Sequence, residues 1–169
     1  ESAYLTRKGV QAYALRFTDD GRVLVPLRDE RGELRNVQTI NAGGEKRFLP
    51  GGPKSGLWHW CGTPEGAPVL AVCEGYATAA SVHQATGRPA AVAFDAGNLA
   101  NVAKTLRRPH PAALLVLCGD DDRDTEAKTG TNPGRVKAEA AARAVRGVAV
   151  FPAGLPENGS DFNDMATAS

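Results

Sequence analysis

The chain has 169 residues, of which 42% are hydrophobic and 23% charged, and its formal net charge is +1. That length and balance suit one folded domain with a small appendage and speak against a disordered tract, a solenoid or a membrane-spanning protein. Three cysteines (Cys61, Cys73 and Cys118) without CxxC spacing argue against zinc and for a reducing compartment, and no signal peptide or lipidation motif is legible, so a cytoplasmic protein with no membrane partner is expected. The first residue is Glu1 rather than Met, which reads as a fragment of something larger.

The near-zero total charge hides nothing dramatic in its distribution. Residues 1–69 hold ten Lys/Arg against eight Asp/Glu, and residues 70–169 ten against eleven. A mixed solvated surface is the plain reading, with the pairs Arg7-Lys8, Lys46-Arg47 and Arg107-Arg108 as candidate phosphate contacts.

The first third reads as strands. Residues 12–18 run into the turn Asp19-Asp20-Gly21, and residues 22–28 follow with Val23, Val25 and Leu27 alternating against their neighbours. Arg31-Gly32 gives another turn, and residues 34–40 and 46–49 are further short strands, so an antiparallel meander is expected. Residues 49–60, LPGGPKSGLWHW, carry Lys54 but lack the GxxxxGK[ST] order of a P-loop. They read as a connecting loop whose Trp58 and Trp60 pack on a neighbouring domain. TPEGAP at 63–68 marks a boundary, giving a β-rich unit over 1–66 and a second unit over 67–169.

Beyond the boundary the period changes. Strands are expected at 69–73, 90–94, 113–118 and 148–151, with helices at 75–86, closed by Gly87, and at 98–106 with Leu99, Val102, Ala103 and Leu106 on one face. Residues 123–131 read as a polar loop. The next helix has Asn132 as its cap, Pro133 in the first turn, Val136, Ala140, Ala141, Ala144 and Val145 as its buried stripe, and Gly147 as its end. Alternation of strand and helix predicts an α/β fold, a mostly parallel sheet with helices on both faces. Ligands of such a sheet bind outside the carboxyl ends of its strands.

The acids fall at those ends. Glu74 follows the first parallel strand, where it is either a functional carboxylate or a helix-entry residue that favours the helix dipole. The run LLVLCGDDDRD (114–124) stops a buried strand in a knot of carboxylates that repel one another unless solvated or neutralised. Asp120 and Asp122, one residue apart, would face the same side and share a cation, while Asp121 points away and is structural. Asp95 reads as a helix cap. Gly159-Ser160-Asp161-Phe162-Asn163-Asp164 brings two more carboxylates to the same edge. Oxygen ligands without an imidazole cluster favour Mg²⁺ or Mn²⁺; His59, His83 and His110 have no metal-ligand spacing and read as packing or surface residues.

CEGYATA (73–79), AGNL (96–99), GDDD (119–122), NPGRVKAEAAARA (132–144) and SDFND (160–164) together resemble the TOPRIM domain of topoisomerases, primases and related nucleases, and within it the primases of conjugative plasmids and phages. The likeness covers residues 69–165, and RFLPGG (47–52) is more weakly similar to the segment that precedes the domain in such primases. The resemblance implies a TOPRIM (Rossmann-like) sheet preceded by a small antiparallel β subdomain, and a Mg²⁺-dependent phosphoryl-transfer site. By position, Glu74 would handle the proton of the attacking hydroxyl, Asp120 and Asp122 would hold the metal, and Asp161, with Asp164, would support a second ion. Two departures stand out: Thr78 occupies a place where some bacterial primases carry a further acid, and the segment between Asp122 and Gly134 is longer than in the bacterial replicative primases. The function implied is RNA primer synthesis from ribonucleoside triphosphates on a single-stranded DNA template, with a basic strip of Arg7, Lys8, Arg47 and Lys54, in a parent protein that carries other domains or works with a helicase. A TOPRIM nuclease and a non-catalytic metal- and nucleic-acid-binding module are the alternatives. A topoisomerase would need a tyrosine-bearing partner domain, and the DxDxT-like Asp122-Arg123-Asp124-Thr125 comes too late in the chain for a haloacid-dehalogenase-like phosphatase.

Overall fold

The computed structural model describes residues 2–168. Two sheets lie side by side. The first is an antiparallel meander in the order β1 (Arg16–Phe17), β2 (Val23–Arg28), β3 (Leu34–Ile40) and β4 (Lys46–Phe48). The second has the order β5-β7-β6-β8-β9, built from β5 (His59–Cys61), β6 (Val69–Cys73), β7 (Ala90–Val92), β8 (Leu114–Cys118) and β9 (Val148–Val150). All its pairings are parallel except that of β5, which runs antiparallel to β7.

Helices cover both faces of the second sheet, as the alternation requires. On one side α3 (Leu99–Arg107) and α5 (Pro133–Ala144) pack Leu99, Val102, Leu106, Ala138 and Ala141 on Leu70, Val72, Leu115 and Leu117. On the other, α2 (Tyr76–Thr86) packs Tyr76, Ala79 and Ala80 in a cluster that continues through Cys61, Cys73 and Cys118 into Val23, Val25, Leu27 and Ile40 of the meander. α6 (Phe162–Thr167) lies against α2, with Phe162 packed on this cluster. One apolar layer therefore joins the two sheets.

The expected parallel strands and the helices between them are present, and α3 buries the four residues its period marks. Asn132 caps α5 by accepting from Arg135 N (3.2 Å), and Pro133 opens the helix. Several expectations fail for physical reasons. Residues 3–8 form a helix, α1 (Ala3–Lys8), closed by Gly9 at φ 62°, and of the strand expected over 12–18 only Arg16–Phe17 remains. The 123–131 segment is largely helical, as α4 (Arg123–Thr129), which buries none of its residues and so carries no apolar period to betray it. In α5 the buried stripe is Gly134, Ala138, Ala141, Ala142 and Val145, whereas Val136 is 52% exposed and Ala140 and Ala144 face solvent. An alanine-rich helix offers little contrast between faces, so its register is set by what it packs on. Trp58 and Trp60 do pack on the second unit, but from strand β5 and the bridge Arg28–Trp58 rather than from a loop. A strand that precedes TPEGAP thus belongs to the second sheet.

Candidate active site

Register places the first two acids. Cys73 of β6 is paired with Cys118 of β8, so Glu74 and the Gly119-Asp120 turn leave the sheet side by side. Gly119 N donates to Val150 O (3.0 Å) and Asp121 N to Ser160 O (2.7 Å), which draws the third strand end and the segment before α6 onto the same edge. There a cleft of about 550 Å³ opens between the sheets.

One wall of the cleft is acidic, with Glu74, Asp120 and Asp161. The other carries Arg7 and Lys8 of α1 and Lys46 of β4. Glu74 Oε1 and Asp120 Oδ1 are buried and have no hydrogen-bond partner. Burial, reinforced by the Asp122 carboxylate, raises the Glu74 carboxyl from 4.5 to about 7. Burial, then Glu74, Asp161 and Asp122, raises Asp120 to about 8, and Lys46 opposes the shift.

The other acids have different duties. Asp122 repels Glu74, yet its Oδ2 accepts from Gly134 N (2.9 Å) at the start of α5, and the residue does not line the cleft. The turn after β8 therefore splits the expected pair, with Asp120 in the cleft and Asp122 against the helix end. Asp121, 7% exposed, points away as expected: its Oδ1 accepts from Arg135 Nε (2.8 Å) and Asn132 Nδ2 (2.9 Å), and the Arg135 hydrogen bond holds its carboxyl below the usual range. Asp161 and Asp164 form a capping box at the start of α6: Asp161 Oδ1 accepts from Asp164 N (2.8 Å), and Asp164 Oδ2 accepts from Asp161 N (3.4 Å) and also from Ser160 N (2.9 Å). Only Asp161 also faces the cleft; Asp164 pairs with Lys8 (3.7 Å). Asp95 caps a short 3-10 turn, accepting from Asn98 N (2.9 Å).

Among the expected basic residues, Arg7 and Lys8 reach the cleft, and Arg7 is tied by Nη1 to Ala42 O. Arg47 does not: both its Nε and Nη2 donate to Glu45 Oε1 (2.9 and 2.7 Å). Lys54 pairs with Asp95, its ammonium 5.3 Å from the Phe48 ring centroid. Lys46, named above only as half of the candidate phosphate pair Lys46-Arg47 and not in the basic strip, does line the cleft. Strand alternation supplies the signal: Lys46 pairs with buried Ile40 and shares its inward face, whereas Arg47 pairs with Thr39 and faces outward. Tyr4, Thr78, Phe94 and Asp95 also line the cleft; Phe94 takes φ 75°, rare for a bulky side chain, and its ring stacks edge-on against Phe48 at 5.9 Å.

Among the described residues no three His, Cys, Asp or Glu side chains gather tightly enough to hold an ion alone. The two orphaned oxygens nonetheless suit a hard cation. A buried carboxylate oxygen without a partner is costly, and Mg²⁺ is commonly bound by one or two carboxylates with water and substrate phosphates filling its other positions.

DNA primase TraC of Escherichia coli is 42% identical over 167 residues, which is 96% of this chain but only 12% of that relative's length. Among solved structures, the primase fragment of the bacteriophage T7 primase-helicase protein superposes with a TM-score of 0.61 at 18% identity, covering 96% of this chain and 63% of that one. The DnaG catalytic core gives 0.61 at 19% identity, covering 95% and 66%. At those identities the superpositions speak for the fold alone. A family model described as "Toprim domain" matches residues 69–169, the sheet and helices that carry Glu74, Asp120 and Asp161, and the chain belongs to that family.

Proposed function

We propose that this chain is the catalytic segment of a DNA primase, joining ribonucleotides into a primer on a single-stranded DNA template within a longer polypeptide. The observation that carries the reading is the cleft itself, in which Glu74, Asp120 and Asp161 face Arg7, Lys8 and Lys46 across about 550 Å³. Its volume suits a nucleotide. Its two walls suit the two ends of a phosphoryl-transfer problem: cations for the triphosphate and template phosphates, carboxylates for a metal and for the proton of the attacking hydroxyl.

Glu74, raised to about 7, is poised to take the proton from a 3′-hydroxyl near neutral pH, because a general base works best with a pKa close to the working pH. The hydroxyl oxygen forms a bond to the α-phosphorus of the incoming nucleotide, and pyrophosphate leaves. Arg7, Lys8 and Lys46 hold the departing phosphates. Asp120 and Asp161, with Asp122 behind them, would hold Mg²⁺ or Mn²⁺. Bound there, the ion would neutralise charge on the transferring phosphoryl group and align the attacking and leaving oxygens.

A 42% identical primase at almost full coverage of this chain supports the reading, and that relative's far greater length leaves room for a template-reading element and a helicase partner elsewhere in the polypeptide. A cytoplasmic site of action accords with such a role; among the described residues no helix is long and apolar enough to cross a membrane. Incubating the chain with ribonucleoside triphosphates and single-stranded DNA, with and without Mg²⁺, tests the proposal. Short RNA products that need the metal and vanish in Glu74→Gln are expected. Breakdown of labelled DNA with no synthesis would replace the primase with a nuclease, and metal binding with neither activity would leave a binding module.

A further inference from the structure

α4 lengthens the connection between the acidic turn and α5, yet it buries none of its own residues, so core packing does not account for it. Its first residue makes the contacts that count. Arg123 Nη2 donates to Pro156 O (2.8 Å) and Gly159 O (2.9 Å), two carbonyls of the segment that leads from β9 into α6. The neighbouring Asp121 N donates to Ser160 O (2.7 Å). Asp121 in turn is fixed from behind by Arg135 and Asn132, and its Oδ2 lies 4.0 Å from Arg123 Nε.

We infer that Arg123 is a positioning residue that holds Asp161 at the correct distance from Asp120 on the acidic wall of the cleft. The logic is one of connectivity. Asp120 precedes the clamp by one residue, and Asp161 follows the clamped carbonyls directly, so cross-links between 121–123 and 156–160 make the two carboxylates move as one body. Without Arg123, the hydrogen bond left among the described residues between 121–123 and 156–160 is that of Asp121 N to Ser160 O. A metal-holding constellation loses affinity when its supporting contacts let a ligand drift by about 1 Å. Arg123 touches neither the cleft nor the core, and its half-exposed side chain makes its removal tolerable for folding. The inference rests on the reading of Asp120 and Asp161 as metal-holding residues.

The test is a Mn²⁺ titration of the chain followed by electron paramagnetic resonance, for wild type, Arg123→Ala, Arg123→Lys and the neighbouring control Asp124→Ala, alongside single-stranded DNA binding and urea unfolding of each. The midpoint for Mn²⁺ is expected to rise about tenfold in Arg123→Ala, a loss of roughly 1.4 kcal/mol. Arg123→Lys, which retains a donor for the same carbonyls, should fall between, and Asp124→Ala should match wild type. DNA affinity should stay within about twofold throughout, and amides of 157–161 should exchange faster in Arg123→Ala. An unchanged Mn²⁺ midpoint in Arg123→Ala, or a parallel loss of DNA binding and fold stability, overturns the clamp while leaving the metal reading intact. Absence of Mn²⁺ binding in wild type overturns the metal reading itself, and the clamp's role with it.

Discussion

Glu74 and Asp120 stand beyond the ends of adjacent parallel strands, and each keeps a buried carboxylate oxygen that no donor reaches. Two acids so placed destabilise the metal-free fold, because burial raises the cost of ionising both and the Glu74 carboxylate raises that of Asp120 further. Asp120→Asn should therefore raise the unfolding temperature of the metal-free protein by a few degrees while lowering nucleotidyl transfer on the order of a hundredfold or more. Scanning calorimetry beside the primer-synthesis assay checks both halves. A variant that is both less stable and fully active would contradict the site.

The pH dependence follows from the same pair. Between about pH 4 and about pH 8 the folded chain holds protons on Glu74 and Asp120 that the unfolded chain, with ordinary carboxyl values of 4.5 and 3.8, has released. More protons bound in the folded state means that stability falls as pH rises, so the metal-free protein is stabilised by mild acid and loses that contribution as pH climbs through about 7 and about 8. A cation must displace those protons. Its apparent affinity should accordingly rise from about pH 6 to about pH 8, by up to about tenfold per pH unit for each proton released. Thermal shifts at fixed Mg²⁺ across that range measure it, and a shift independent of pH would refute the assignment.

Much of this was legible in the sequence because its signals are local. Parallel strand ends are marked by where apolar runs stop, and the cap Asn132 with Pro133 fixes the start of α5 within one turn. What escaped was set by tertiary contact. α1 is a six-residue helix whose Tyr4 and Leu5 are buried in the apolar cluster shared by α2 and the meander, too short to show a period. The acidic turn swings Asp122 onto Gly134 N, which spacing along an extended strand could not foretell. Lys46 is different: strand alternation was readable, and it separates Lys46, facing the cleft, from its neighbour Arg47.

Gly134 is where α5 meets the acidic turn most closely. A Cβ there would sit 2.4 Å from Asp120 O and 3.1 Å from Asp122 Oδ2, so backbone would have to yield. Gly134→Ala should cost about 1–3 kcal/mol in urea unfolding and disturb activity beyond the loss of folded protein. Wild-type stability in this variant would mean that the helix end is not seated on the turn.

Lys46 and Arg47 make a built-in comparison, adjacent in sequence and opposite in facing. Lys46→Ala should weaken nucleotide or template binding and reduce the slope of log affinity against log salt by about one, as expected for a lost phosphate contact. Arg47→Ala, which breaks only an exposed pair with Glu45, should change neither by more than about twofold. Equal effects from the two substitutions would move the phosphate path to the outer face of the meander.

Asp161 and Asp164 separate a metal-facing carboxylate from a purely structural one. Both accept backbone hydrogen bonds in the same capping box, and asparagine retains an accepting oxygen at either position. Each Asn variant should thus unfold within about 0.5 kcal/mol of wild type, the 3.7 Å pair of Asp164 with Lys8 being half-exposed and worth little. Only Asp161 lines the cleft, so Asp161→Asn should raise the Mn²⁺ midpoint about tenfold, roughly 1.4 kcal/mol, while Asp164→Asn stays within about twofold. If Asp164→Asn were the weaker binder, the ion would lie on the α6 side of the cleft, and Lys8 would then be its competitor for that carboxylate rather than a partner of the triphosphate.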